Sequence, residues 1–319
     1  MLTDRTTPQL LGVVLLGLVA LTGAACVAKA AAKRDSASRL VSLVLARVRM
    51  WWTMCGVLLA AMLGGRWGSV LVFALTSFLL LREFITMTPT RRGDHHVLFW
   101  VFFVILPLQY YFLGTGWYGM FIITIPVYAF LLIPIRAALA GDPERFLERT
   151  AKIQWGLMIC VYCVAHAPAL LRLEVPDYPG AGLRLLVFLT VVVQVSDLIQ
   201  RLMETATTRE EDKTRIAVSF RALPLLAGLG AAAVAGSALT WSVPFTMGQS
   251  IGMALLGSLA GAGGRLCLKA IERDRGRKGV VVAQTRPSMI ERVIPLSFAA
   301  PVFFHVTRYF VLGGPRAGF

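Results

Sequence analysis

The sequence predicts an all-α, polytopic integral membrane protein with about nine to ten transmembrane helices, and three observations carry that prediction. Of the 319 residues 57% are hydrophobic and 15% charged, and the mean hydropathy is +0.70. A soluble domain would be nearer half apolar and a quarter charged. Ten apolar runs are spread along the whole chain and leave only short loops, so no separate soluble domain fits. Basic residues recur in every second loop, as they do in a chain threaded back and forth through a bilayer. A secreted, collagenous or disordered chain is excluded.

The first run covers residues 10–27. Asp4 and Arg5 precede it and Lys29, Lys33 and Arg34 follow it, the reverse of a signal peptide, so it reads as a retained span. Residues 36–50, wound as a helix, gather Leu40, Val41, Val44, Leu45 and Val48 on one face and leave Arg39, Arg47 and Arg49 off it. That stretch reads as an interfacial amphipathic helix with its arginines at anionic headgroups, or alternatively as an extension of the next span. Further runs cover about residues 51–63, 67–81, 97–112, 116–135, 153–171, 183–199, 223–243, 246–268 and 294–312. Because the run at 51–63 is short for a crossing, the count is nine to ten.

The connections 29–50, 82–96, 136–152, 201–221 and 269–292 carry 6, 3, 4, 5 and 7 Lys and Arg, 25 of the 32. Arg265 and Arg308 fall within runs, and Arg5, Arg66, Arg172, Arg184 and Arg316 on the opposite side or at its boundary. Both ends are therefore expected outside and the basic connections in the cytoplasm. The same retention accounts for the formal net charge of +15 without a nucleic-acid partner. Two regions follow, 1–150 with the amphipathic helix and 151–319.

Several side chains within the runs invite a chemical reading. Asp197 lies inside an apolar span, where a carboxylate is costly, and either faces a cavity or pairs with Arg201; Gln200 shares its helix face. His305 and Arg308, three apart, point into a cavity together, or Arg308 snorkels to the far interface. His166 reads as a hydrogen-bonded packing residue more than as a general base. Cys160 and Cys163 sit in an apolar helix with no second pair, which argues against metal or redox chemistry. The glycines at 252, 257, 261, 263 and 264 follow no strand and lack the Lys-Ser/Thr of a P-loop, so they read as helix-packing positions. Lys269, Arg273, Arg275, Arg277, Lys278 and Arg286 form the densest basic stretch, a positive-inside loop or a remnant polyanion site.

The last third of the chain carries a longer pattern. It runs Leu259-Ala260-Gly261, Gly264, then Ala270 to Lys278 reading Ala-Ile-Glu-Arg-Asp-Arg-Gly-Arg-Lys, Glu291-Arg292, and Ala299-Ala300-Pro301-Val302-Phe303-Phe304. In order and spacing it resembles the C-terminal signature of phosphatidate cytidylyltransferases, the CDP-diacylglycerol synthases. Upstream, Ile153 to Met158, His166 to Leu171, Gln194 to Gln200, Arg82-Glu83-Phe84 and Thr88 to His95 look like other segments of that family, so the resemblance spans nearly the whole chain. It implies a multi-helix membrane fold with a polar cavity opening to the cytoplasm, and a reaction that joins CTP to phosphatidate with release of pyrophosphate. Such a reaction brings two anions together, so basic residues and Mg²⁺ held by carboxylates are implied as well.

The departures from that signature concern those carboxylates. The family's Gly-Asp is Gly264-Arg265 here, its Lys-Arg-Asp is Glu272-Arg273-Asp274, its Lys-Asp is Lys278-Gly279, and its Asp-Arg-x-Asp is Glu291-Arg292-Val293-Ile294. The glycine- and histidine-containing stretch is replaced by Val280 to Met289, and of the family's Ser-Pro-x-Lys-Thr-x-Glu-Gly only the serine, Ser219, remains. Replacing a metal carboxylate by arginine puts a fixed cation where an anionic ligand stood, so Arg265 repels a metal and is shaped to pair with a phosphate.

Three functions follow from this pattern. The first is a CDP-diacylglycerol synthase-like protein of phospholipid metabolism that binds phospholipid or nucleotide phosphates with weak or lost transferase activity. Its expected phosphate contacts are Arg265, Arg273, Lys278, Arg292, Ser219 and Gln200, with no metal ligand and no cofactor. The second is an active cytidylyltransferase using Mg²⁺ with Asp197, Asp274 and Glu291 as catalytic carboxylates. The third is a lipid-transport or scaffolding protein. Expected partners are a phosphatidate-like phospholipid, the lipid bilayer and CTP, with a homodimer left open; the expected location is a bacterial-type inner membrane, crossed many times.

Overall fold

The computed structural model describes residues 6–31, 35–87, 90–91, 93–176, 178–207, 221–274 and 288–311. Ten helices follow one another along them: α1 Thr6–Ala31, α2 Asp35–Leu63, α3 Gly65–Met87, α4 Asp94–Thr115, α5 Tyr118–Ala138, α6 Phe146–Leu170, α7 Ala181–Thr207, α8 Ala222–Ala238, α9 Met247–Asp274 and α10 Met289–Val311. No strand interrupts them among the described residues. Nine are long and apolar enough to cross a bilayer; α8, with 17 residues, is shorter. The protein is therefore an all-α, multi-pass membrane protein, and the count of nine to ten turns on α8 and not on the run at 51–63.

That short run is lengthened by the amphipathic stretch ahead of it. Residues 35–63 form one uninterrupted helix, so the expected interfacial helix does not exist as a separate element. Arg47 does not reach toward headgroups: its side chain is buried, with Val48 and Met50 beside it. Of the predicted apolar face only Val48 is buried, while Leu40, Val41, Val44 and Leu45 are half-buried; the side of α2 that meets the bundle runs through Arg47, Val48 and Met50.

Burial differs sharply along the chain and shows where the core lies. In the apolar windows of α1 and α2 only 17% of residues are buried, against 72% in α6 and 78% in α7. So α7 is the central helix, packed by α8, α9 and α10, while α1 and α2 present most of their surface to lipid. In lipid no hydrophobic force drives apolar helices together, and association rests on close packing of small residues. A Cβ on Gly264 would come within 2.8 Å of the Phe298 ring and 3.0 Å of the Ile294 carbonyl, so this glycine lets α9 lie against α10. A Cβ on Gly228 would meet Gln200 Cγ at 2.2 Å, which brings α8 onto α7.

Wide, π-helical turns occur at Val101–Ile105, Thr124–Ala129 and Met158–Cys163 in three neighbouring helices. Pro107, Pro126 and Pro168 lie in or just beyond them, and each lacks the amide that would close an ordinary turn. Gly116 ends α4 in the left-handed region (φ 81°), allowing a two-residue link to α5.

The basic connections meet at one end of the bundle. Arg149 pairs with Asp94 at 2.7 Å, joining the connections 136–152 and 82–96. Glu83 accepts from the backbone amides of Met289 and Ile290, both at 3.1 Å, joining 82–96 to 269–292. Arg201 donates to Glu291 at 2.7 Å and Arg47 lies 3.1 Å from Asp197, which brings in 201–221 and 29–50. At the other end Arg66 and Arg172 both donate to the Gly114 carbonyl, at 2.6 and 2.8 Å. This division matches the alternation read from the sequence.

At that far end Arg308 does not snorkel. It is buried, with its guanidinium carbon 3.5 Å from the centre of the Tyr118 ring, and His305 Nδ1 lies 3.4 Å from the Tyr118 hydroxyl. His166 is fully buried, its Nδ1 2.8 Å from the Tyr162 carbonyl oxygen, and packs against the rings of Phe121, Phe304 and His305.

Candidate functional site

On α7, Gln194, Asp197, Gln200, Arg201 and Glu204 recur every three to four residues, so a helix places them on one face. Midway along α7 this stripe begins with Gln194, whose amide oxygen accepts from Trp51 of α2 at 3.2 Å. Ser196 and Ser258 hydroxyls meet at 2.5 Å, and Gln200 donates to Ser196 at 3.2 Å. Toward the basic end the stripe becomes charged.

Asp197 is the centre of that charged part. Its carboxylate lies 3.1 Å from Arg47 Nη1, 3.1 Å from Arg201 Nε and 3.1 Å from Arg265 Nε, so guanidinium groups from α2, α7 and α9 converge on one buried acid. Arg201 extends to Glu291 of α10, and Arg47 reaches the same oxygen at 4.0 Å. Arg265 Nη2 donates to Gln200 Oε1 and, at 3.1 Å, to Glu204 Oε1; the other Glu204 oxygen lies 3.1 Å from Lys269 Nζ. Among the described residues four cations (Arg47, Arg201, Arg265, Lys269) thus face three anions (Asp197, Glu204, Glu291), one positive charge in excess. An unpaired buried charge is costly, and the shared geometry is what makes seven ionised groups tolerable together.

Four helices are pinned by it, and α10 with special care. Ser288 Oγ accepts from Glu291 N at 3.2 Å, as a helix-capping serine does, and Glu83 takes the amides of Met289 and Ile290. The first three amides of α10 are satisfied, and a carboxylate sits at the positive end of its dipole. Glu291 itself does not bend back to cap the helix; it is left for Arg201.

Beside the cluster Asp197, Gln200 and Arg265 share a narrow crevice with Val193, Ser196, Ser258, Gly261, Ala262 and Pro295. It is too tight for a nucleotide as it stands. Arg265 is 2% exposed, and its Nη1 has no hydrogen-bond partner among the described residues. A buried donor in that state is poised for an acceptor.

Asp197 and Glu204, as they are paired in the cluster, do not fit a divalent cation. Mg²⁺ needs carboxylate oxygens turned toward open space, whereas both oxygens of Asp197 face guanidinium groups and those of Glu204 are divided between Arg265 and Lys269. Among the described residues no group of three or more His, Cys, Asp and Glu could hold a metal.

Of the site residues expected from the sequence, Asp197, Gln200, Arg265 and Glu291 come together. Asp274 does not join them: it is the exposed last residue of α9, nine residues and about 14 Å beyond Arg265 along the helix. Arg273 and Arg292 are half-buried at the same end of α9 and α10. Ser219 and Lys278, with Arg275, Arg277, Arg286 and most of Val280 to Met289, lie outside the described residues. Sequence reasoning missed Arg47, Glu204 and the capping role of Glu83. Glu204 was within reach, since it sits seven residues after Asp197 and hence on its face. Arg47 was not, because nothing local tells a buried arginine from one at a headgroup.

Two comparisons bear on this arrangement. The sequence profile described as Cytidylyltransferase family matches residues 45–310, from just before Arg47 to the end of α10. The chain is also similar to the uncharacterized protein YnbB of Escherichia coli strain K12, at 30% identity over 271 residues that cover 83% of this chain and 88% of that protein.

Proposed function

The chain belongs to the cytidylyltransferase family, and on that premise we propose that it is a CDP-diacylglycerol synthase-like protein which holds a phosphate group in the Asp197–Arg265 cluster, with CTP:phosphatidate transfer weak or lost. The ligand is a phosphatidate-like phospholipid or a nucleotide such as CTP. The membrane is the bacterial inner membrane, with the cluster at its cytoplasmic face.

One observation carries this reading. Where the family's chemistry calls for carboxylates holding Mg²⁺, this chain gathers three guanidinium groups around Asp197. Guanidinium groups neutralise phosphate charge and orient it through paired hydrogen bonds, so they can replace a metal in binding. They cannot replace it in activating the transfer, since a Lewis acid and its bridging of two phosphates are missing.

The test is direct. Purified protein supplied with CTP, phosphatidate and Mg²⁺ is expected to release pyrophosphate far more slowly than about 1 per second, the low end of ordinary turnover, while retaining phosphatidate through purification. Magnesium-dependent turnover at an ordinary rate would instead establish the active enzyme, with Asp197 or Glu291 freed to act. Absence of both turnover and lipid would leave the transport or scaffolding role.

A further inference from the structure

The seven charges of the cluster are not equally fixed. Asp197 is held by three guanidinium groups and its side chain is 3% exposed. Glu204 lies two turns further along the same face of α7, closer to water, with its side chain 13% exposed. It bridges Arg265 and Lys269, one oxygen on each cation, both at 3.1 Å. That is how a phosphate group bridges two cations, with separate oxygens on separate donors. Glu204 therefore fills the place an incoming phosphate needs, while Arg265 Nη1 beside it has no hydrogen-bond partner among the described residues.

We propose that Glu204 is an internal competitor for the phosphate site: its carboxylate occupies Arg265 and Lys269 in the empty protein, and a phosphate monoester binds by displacing it. This deepens the functional reading above and rests on it. A monoester dianion carries more charge and one more oxygen than a carboxylate, so it can take the two bonds Glu204 gives up and also reach Arg265 Nη1. Carboxylates lack both advantages, and sulfate monoesters, as monoanions, lack the extra charge. Glu204 acts as a specificity-setting residue that raises the threshold for occupancy, and Asp197 remains the fixed counter-charge that keeps the arginines in place. The ligand chemistry is shared by a lipid headgroup and a free phosphate.

The experiment uses full-length protein in dodecyl maltoside micelles, with binding of dioctanoyl phosphatidate and of inorganic phosphate followed by calorimetry and dioctanoylglycerol as the uncharged control. Glu204→Gln raises the excess charge among the described residues of the cluster from one to two and takes the competing carboxylate off both cations; it is expected to tighten phosphatidate binding by about tenfold. Glu204→Asp keeps the charge but is one methylene too short to span both cations, so it too is expected to bind more tightly than wild type. It also serves if the glutamine variant folds poorly. Glu148→Gln, which removes an exposed carboxylate paired with Arg145 and Lys152 elsewhere, is expected to change nothing. Tightening toward phosphatidate alone assigns the vacated place to a lipid headgroup, and tightening toward inorganic phosphate as well assigns it to phosphate from either source. Unchanged or weaker binding in both Glu204 variants, or equal tightening in Glu148→Gln, overturns the competitor role. Arg265→Ala separates the two levels: if it abolishes binding while the Glu204 variants match wild type, the phosphate site stands and the competitor falls. If no form binds either probe, both fall.

Discussion

Replacing Asp197 by asparagine tests the ion cluster at its centre. The substitution keeps the shape of the side chain and removes one negative charge from among three guanidinium groups, each about 3.1 Å away. At an effective dielectric constant near 20, each such contact is an attraction of about 5 kcal/mol before desolvation is counted. Most of that is offset by the cost of keeping the charges out of water, and breaking a buried pair from one side typically leaves a net loss of about 3–5 kcal/mol. The cluster would then hold four cations against two anions, so the upper part of that range is expected. The assay is reversible unfolding in mixed detergent micelles, followed by helical signal and by a tryptophan reporter. A second step guards against a trivial packing defect: Asp197→Asn with Arg265→Gln removes one charge of each sign and is expected to recover at least about 1 kcal/mol, a coupling that independent sites do not show. If Asp197→Asn unfolds within about 0.5 kcal/mol of wild type, or the double variant is no better than the sum of its parts, Asp197 is not the counter-charge described above.

The other predictions follow from single contacts. A reporter fused after Asp142 should report the cytoplasm and one after Gly116 the opposite side; a reversed pair of signals would sink the topology. Glu83→Gln keeps hydrogen-bond acceptance but loses the charge at the start of α10, and should cost about 0.5–2 kcal/mol in unfolding assays. A cost nearer zero would mean that Ser288 alone caps the helix. Gly264→Val would drive its side chain into Phe298 and the Ile294 carbonyl, already within 3.0 Å of a bare Cβ. It should destabilise by about 1–3 kcal/mol through overpacking, whereas Gly230→Val, which meets nothing within 4 Å, should not.

What was legible in the sequence divides along physical lines. Membrane spans are long and uniformly apolar because the bilayer demands it, and basic loops alternate because charge is retained on one side; both leave marks that need no tertiary knowledge. Asp197 was legible for the same reason, since an acid in an apolar run has to be explained. The partners of that acid were not. Arg47 arrives from a position 150 residues earlier in the chain, and the apolar periodicity placed it off the buried face. For Arg308 the sequence left both a cavity and the far interface open, because sequence distance says nothing of Tyr118 across the bundle. In both cases the missing information was which helix stands opposite.

The resemblance sets an aspartate against Arg265, and the outcome of putting one there follows from charge. Arg265→Asp turns four cations against three anions into three against four, a swing of two units that leaves the cluster with one excess negative charge. The shorter side chain also withdraws from Gln200 and Glu204 and opens the crevice, while Asp197 keeps Arg47 and Arg201. A pair of carboxylates on α7 and α9 facing a vacated space is the arrangement a hard divalent cation accepts. Such a variant is therefore expected to gain stability on addition of about 10 mM Mg²⁺, by about 1.4 kcal/mol for a site with a dissociation constant near 1 mM, where wild type gains none. Turnover with CTP and phosphatidate is not expected with it, because the resemblance sets a lysine against Glu272, an aspartate against Gly279 and a serine-led motif against Ser219 to Leu226, of which only the serine is present. An equal magnesium effect in wild type would show that guanidinium groups around Asp197 do not exclude the cation. No effect in either protein would mean that Glu204 and the carboxylate introduced in place of Arg265 turn to Lys269 and Arg201 and close the cluster again with the remaining cations.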